Sequence, residues 1–191
     1  ETKMENPAED AVSDIAERVT AGEISVKEAA QLASGLLIAG HETTANMIGI
    51  GVLALLENPE QLAFLRDTDD PAVVAETVEE LMRYLTVVHS LVERVAVEDC
   101  TVAGQDIAAG DIVLMNLPAG NWDPEFVDSP GEFDPTRNAR GHLGFGYGAH
   151  QCIGANLARV EMQIAPRTLL CGNAYRIGGT VADTGFDELR D

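Results

Sequence analysis

The sequence predicts a mainly α protein with small β hairpins (α+β), organised around one long central helix and carried as a single domain over residues 1–191. Three observations predict this class. The stretch from Ser25 to about Glu57 reads as one helix, opened by Ser25 with Glu28 three residues later and stopped by Asn58-Pro59. From Val92 to Leu117 the periodicity changes to short apolar runs separated by Gly104 and Gly110, which reads as small strands and hairpins. Hydrophobic residues make up 46% of 191 residues, enough to build a real core and too many for a disordered chain.

The elements follow in order. A first amphipathic helix is predicted from roughly Ala8 to Thr20, ended by Ala21-Gly22. The long helix comes next, and its middle is apolar nearly all round, which in a soluble protein means central and buried. Pro59 starts a short helix to about Asp67, and a further helix runs from Pro71 or Ala72 to about Leu85. Thr101-Val102, Asp106-Ile107 and Ile112 to Met115 are the strand candidates. Asn121 to His142, rich in Pro, Asp, Gly and Asn, is a long irregular segment of the kind that signals function when ordered. A last helix is expected to about Leu170, with Pro166 inside it as a point where it kinks or ends.

Charge and cysteine usage narrow the function classes. A formal charge of −20, from 32 acidic and 12 basic residues, argues against nucleic acid or an anionic membrane as partner. Three cysteines (Cys100, Cys152, Cys171) and no recognisable signal peptide point to a reducing, cytoplasmic setting. Leu36 to Leu56 has the length of a membrane span, but His41, Glu42, Thr43, Thr44 and Asn46 interrupt its centre, where a bilayer penalises them. It is read as a buried helix.

The most informative stretch is Phe145-Gly-Tyr-Gly-Ala-His-Gln-Cys-Ile-Gly-Ala-Asn-Leu-Ala-Arg159. Cys152 sits alone in a glycine-punctuated loop just before a helix begins. Gly146, Gly148 and Gly154 let the backbone approach a flat ligand closely. A thiolate held there, beside free amides and a helix N-terminus, suits the single protein ligand of an iron. Zinc does not fit, because His150 and Cys152 lack a further ligand pair at zinc spacing.

The pattern F-G-x-G-x-H-x-C-x-G resembles the haem-binding loop of the cytochrome P450 family. Further segments resemble the same family in the same order. Ala39-Gly-His-Glu-Thr-Thr44 in the long helix is similar to the oxygen-activation motif, which makes Gly40, Glu42 and Thr43 the catalytic candidates. By this resemblance Thr43 stabilises iron-bound oxygen species and Glu42 relays protons from solvent. Glu80-Leu-Met-Arg83 matches E-x-x-R, and Arg137 in Phe133-Asp-Pro-Thr-Arg137 completes a network implied to clamp the cysteine loop. Arg94 and His150 align with residues that hold the haem propionates, and Phe145, Gly146 and Gly154 with those lining the cofactor. His142 precedes the loop and is expected only to help shape it.

The resemblance runs from about residue 10 to 170 and corresponds to the C-terminal, haem-binding half of a bacterial-type soluble member. It implies haem b (iron protoporphyrin IX) ligated by Cys152, and two electrons supplied by a ferredoxin or flavodoxin-type partner that draws on NAD(P)H. The implied reaction inserts one atom of dioxygen into a small apolar organic substrate. The family's N-terminal helices, substrate-covering loop and lid helices have no counterpart in the sequence, so exposed apolar surface and self-association are expected. The alternative is a truncated haem-binding protein, a carrier, sensor or peroxidase-like catalyst without a complete substrate pocket. The tail after Leu170 does not resemble the family's closing hairpin.

Overall fold

The computed structural model describes residues 2–89 and 92–171, with Cys171 described by its backbone alone. The tail after Leu170, expected to differ from the family's closing hairpin, lies outside the described residues. The chain divides into two compact units, Glu1–Ala45 and Asn46–Asp191, the boundary falling within the long helix.

In the first unit, α1 (Thr2–Glu5) contacts α2 (Ala11–Thr20). The start of α2 is set by Asp10, whose carboxylate accepts the Ser13 amide at 2.9 Å and also pairs with Lys3. The helix therefore begins three residues later than Ala8. It ends with Gly22 at φ +74°, and the Glu23 amide returns to the Arg18 carbonyl at 3.0 Å. The next helix, α3 (Val26–Glu57), opens on the predicted capping box: the Glu28 amide donates to Ser25 Oγ at 3.2 Å, and the Ser25 amide donates to Glu28 Oε2 at 2.8 Å.

The expectation that the middle of α3 is buried is corrected. Leu36, Leu37 and Ile38 are exposed, Leu37 at 71%, and so is Glu42. Burial is confined to one stripe near the C-terminal end, Met47, Gly51, Ala54 and Leu55. These four recur at helical spacing, so the fully buried contact is a single face, with Ile48 and Ile50 partly buried beside it. By length and composition α3 could cross a membrane, although that stripe packs into a protein core.

In the second unit, α4 (Pro59–Arg66), α5 (Pro71–Leu85) and α7 (Ala155–Cys171) pack together, and α6 (Leu117–Asn121) lies against α5. Met47, Leu55, Val78, Leu81, Phe133 and Met162 belong to their shared core. Asp70 caps α5 by accepting the Ala72 amide at 2.8 Å, with Pro71 at the first helical position. Pro166 does not end α7, which continues to Cys171. Its ring is fully buried, and that packing offsets the missing amide.

The small strands form two antiparallel pairs. Strand β1 (Glu93–Val95) pairs with β4 (Ile112–Leu114), placing Arg94 opposite Val113. Strand β2 (Cys100–Val102) pairs with β3 (Gln105–Ile107) across a two-residue turn, Ala103-Gly104, at φ +49° and +81°. Positive φ at both positions is the hairpin turn whose twist suits the strands, and Ala103 carries a Cβ there.

The E-x-x-R pair is wholly buried. Arg83 donates Nε to Glu80 Oε2 at 2.7 Å and Nη2 to Oε1 at 2.8 Å. Its remaining donors reach the carbonyls of Asn121, Pro130 and Glu132. Arg137 Nε stands 3.5 Å from Glu80 Oε1, and the Asp134 amide donates to that same oxygen. The network exists as expected, but its bonds run to residues 121–137, the irregular segment, and not to the cysteine loop. The reason is reach: carbonyls of that segment turn toward Arg83 and satisfy its fork.

Two outcomes follow from this packing. Ala103→Asn should raise stability by about 0.5–1 kcal/mol, since Asn tolerates positive φ better than Ala, as read from the denaturation midpoint. Arg83→Met should cost about 3–5 kcal/mol by the same assay, because it strands the buried Glu80 carboxylate without its partner.

Candidate functional site

The cysteine loop is built from α5 outward. Leu143 to Gly154 crosses between the end of the irregular segment and α7, with a single 3-10 turn at Gly148–His150. Gly146 and Gly148 stand at φ +69° and +77°, a region that a side chain would strain. The Gly146 amide donates to the Leu143 carbonyl at 2.8 Å, and the Cys152 amide donates to the Phe145 carbonyl at 2.8 Å. These two bonds fold the loop back on itself and turn Cys152 outward. Its thiol is free and exposed, flanked by exposed Tyr147 and Ile153. The ring of Phe145 is buried.

Among the described residues no group of three or more His, Cys, Asp or Glu is arranged to share a metal ion. The loop thus offers one sulfur with apolar neighbours. A Cβ added at Gly154 would stand 3.9 Å from Cys152 Sγ, and one added at Gly148 would meet nothing within 4 Å. A single soft donor with open space and apolar surface around it fits a planar, largely apolar iron cofactor that takes one protein ligand.

The other predicted residues occupy varied settings. His150 is exposed on the 3-10 turn, two residues before Cys152. Arg94 is exposed on β1, where it donates to the carbonyl of Glu93 at 2.8 Å. In the first unit, Thr43 Oγ1 donates to the Ala39 carbonyl at 2.6 Å, the back-bond typical of a helical threonine. Gly40 faces open space: a Cβ added there would meet nothing within 4 Å.

A second buried network, centred on Glu79, went unread in the sequence. Arg159 of α7 donates Nε to Glu79 Oε1 at 2.6 Å and Nη2 to Oε2 at 3.0 Å. His142 Nε2 lies 3.1 Å from Glu79 Oε2, and its Nδ1 accepts the Gly144 amide at 2.9 Å. An Nδ1 that accepts carries no proton, so Nε2 holds the hydrogen and donates to Glu79. The guanidinium of Arg159 also lies over the Phe145 ring, 4.5 Å from its centroid. A polar link runs beside it: Asn121 donates to Thr86 Oγ1 at 2.7 Å and accepts the Leu143 amide at 2.6 Å. His142 was expected only to shape the loop, and it is buried at the loop's root. The one available signal was the adjacency of Glu79 and Glu80 on a helix, since E-x-x-R accounts for only one of them.

Burial pushes the Glu79 carboxyl up, but the hydrogen bonds from His142 and Arg159 and the charge of Arg159 outweigh it and hold the group at about 2. A depressed carboxyl stabilises the fold fully above its unfolded value near 4.5 and loses that contribution as pH falls from there through about 2. At about 1.4 kcal/mol per pH unit this amounts to at most roughly 3 kcal/mol, reduced by whatever screening solvent supplies. Urea titrations between pH 5 and pH 2 should therefore show the stability gap between the native chain and Glu79→Gln closing by up to about that amount.

The chain is similar to known proteins over most of its length. The family pattern described as cytochrome P450 matches residues 65–171, more than half of the chain. Cytochrome P450 CYP105Q4 of Mycobacterium marinum is 58% identical over 171 residues, covering 89% of this chain and 41% of the relative. Cytochrome P450 GfsF of Streptomyces halstedii is 55% identical over 171 residues, covering 88% and 41%. The crystal structure of GfsF superposes with a TM-score of 0.85 over 89% of this chain and 43% of that one. The chain thus spans about two fifths of the length of the relatives it matches. The mainly helical architecture with two small sheets, the cysteine loop and the buried E-x-x-R pair all lie within the shared region, and the chain belongs to the cytochrome P450 family.

Proposed function

We propose that this chain carries the haem–thiolate site of a P450-type monooxygenase, with Cys152 as the protein ligand of haem b. The observation that carries the reading is the free, outward-facing Cys152 thiol on a loop fixed by its own amide bond to Phe145. When bound, haem b would supply the dioxygen chemistry, with thiolate donation favouring O–O cleavage. The substrate class is a small apolar organic molecule, and the electrons come from a ferredoxin or flavodoxin-type partner using NAD(P)H.

The chain's residues divide the remaining work. Gly146 and Gly154 keep side chains out of the space around Cys152, and the Phe145 carbonyl accepts the Cys152 amide that orients the sulfur. Arg94 and His150 are exposed donors suited to the propionate carboxylates, Arg94 through its planar fork. Thr43 Oγ1 spends its proton on the Ala39 carbonyl, which leaves its lone pairs free to accept. Glu42, exposed one residue earlier, can take protons from solvent and pass them along the helix surface, and Gly40 leaves room beside it. A cytoplasmic location accords with the acidic surface and the free Cys100 and Cys152.

A second reading has an observation in its favour. Ile153 and Leu157, close to Cys152 in the chain, are exposed apolar residues. A cysteine with exposed apolar neighbours is accessible to water, and that favours haem binding with peroxidase-like turnover over selective oxygenation. The same surface supports self-association.

The absorbance of the reduced, carbon-monoxide-bound protein tests the proposal. A strongly red-shifted Soret band that is lost in Cys152→Ala is expected, and failure to take up haem would end the reading. Dye oxidation driven by peroxide, without oxidation of apolar substrates in the presence of a redox partner, would favour the second one.

A further inference from the structure

We propose that Glu79 is the positioning residue of the cysteine loop, clasping both of its ends through His142 and Arg159 while its neighbour Glu80 holds the irregular segment. The proposal deepens the haem–thiolate reading and rests on it for the meaning of the loop, though not for the clasp itself.

Connectivity defines the clasp. His142 lies ten residues before Cys152 and Arg159 seven after it, and both bind one buried carboxylate, Arg159 through both oxygens and His142 through Oε2. From His142 the path enters the loop through the Gly144 amide. A Cβ at Gly144 would stand 3.0 Å from His142 Nδ1 and 3.0 Å from the Met82 carbonyl, so this approach leaves no room for a side chain. From Arg159 the path crosses the face of Phe145, whose carbonyl receives the Cys152 amide. The two paths therefore converge on the backbone that orients the sulfur.

The alternative holder, the Glu80–Arg83–Arg137 network, makes no bond to residues 143–154 among the described ones. It reaches the loop only through Asn121, whose carbonyl accepts from Arg83 and whose side chain accepts the Leu143 amide. Glu79 and Glu80 are successive residues, about 100° apart around α5, so they face different partners. A carboxylate that is buried and shared by an imidazole and a bidentate guanidinium is held in one geometry, and that is what positioning requires.

Hydrogen exchange on the full 191-residue chain tests the clasp without any cofactor. In Glu79→Gln the amides of Gly146 and Cys152 should exchange about tenfold faster or more, while those of Glu132 and Arg137 stay near their native rates. In Glu80→Gln the pattern should reverse. Arg159→Lys keeps the charge but loses the fork and the ring contact, so it should also speed the loop amides selectively; it serves as the deciding variant if Glu79→Gln fails to fold. Equal acceleration of both segments, or an unchanged loop, in the variant that folds would overturn the proposal. A second readout is the carbon-monoxide spectrum of the haem-loaded variants, in which the red-shifted band should lose intensity in Glu79→Gln and Arg159→Lys. If the native chain takes up no haem, the functional reading fails while the exchange result still decides the clasp. A red-shifted native spectrum with no selective exchange sinks the clasp alone.

Discussion

Two adjacent carboxylates, Glu79 and Glu80, lie inside the second unit on α5, and much of its polar structure answers to them. A buried carboxylate is tolerable only when charge and hydrogen bonds replace the water it has lost. Glu80 is matched by the fully buried Arg83 and by Arg137 at its edge. Glu79 is matched by Arg159 and His142. Each arginine then has donors to spare or a face to stack, and these surplus contacts capture the carbonyls of the irregular segment and the ring of Phe145. Charge neutralisation in the core thereby becomes the scaffold of segments that have little regular structure of their own.

The cysteine loop inherits its shape from that scaffold. Its own bonds are few, and two positive-φ glycines make its path permissible without making it rigid. Rigidity comes from outside, through Leu143 on Asn121, Gly144 on His142 and Phe145 under Arg159. The thiol is left outward on a backed loop, an arrangement suited to metal ligation. Thr86 shows the same logic at the end of α5: a β-branched residue at φ +40° is stabilised because its hydroxyl donates to the Arg83 carbonyl and accepts from Asn121.

Much of the local structure was legible beforehand because its causes are local. The Ser25/Glu28 box, Pro71 at the start of its helix, and Gly104 in its hairpin act within a few residues, and the elements start or turn where they stand. The Glu80–Arg83 pair was readable for the same reason, since three-residue spacing puts both on one helical face. The long apolar run of α3 misled because composition states what a helix can bury and not what is present to bury it. Pro166 misled in a related way, as a propensity rule overridden by packing.

By itself the sequence determined the order of the longer helices, the capping-box start of α3 and its stop before Pro59, and a lone cysteine in a glycine-punctuated loop with a family resemblance around it. Tertiary structure alone decided which charges meet. The partners of Glu79 lie 63 and 80 residues away, and no local spacing connects them. It also decided that the E-x-x-R network serves the irregular segment and that only one stripe of α3 is fully buried. The physical reason is range: caps and turns are settled by neighbouring dihedrals, whereas pairing a buried charge depends on which distant donor the packed core delivers to it.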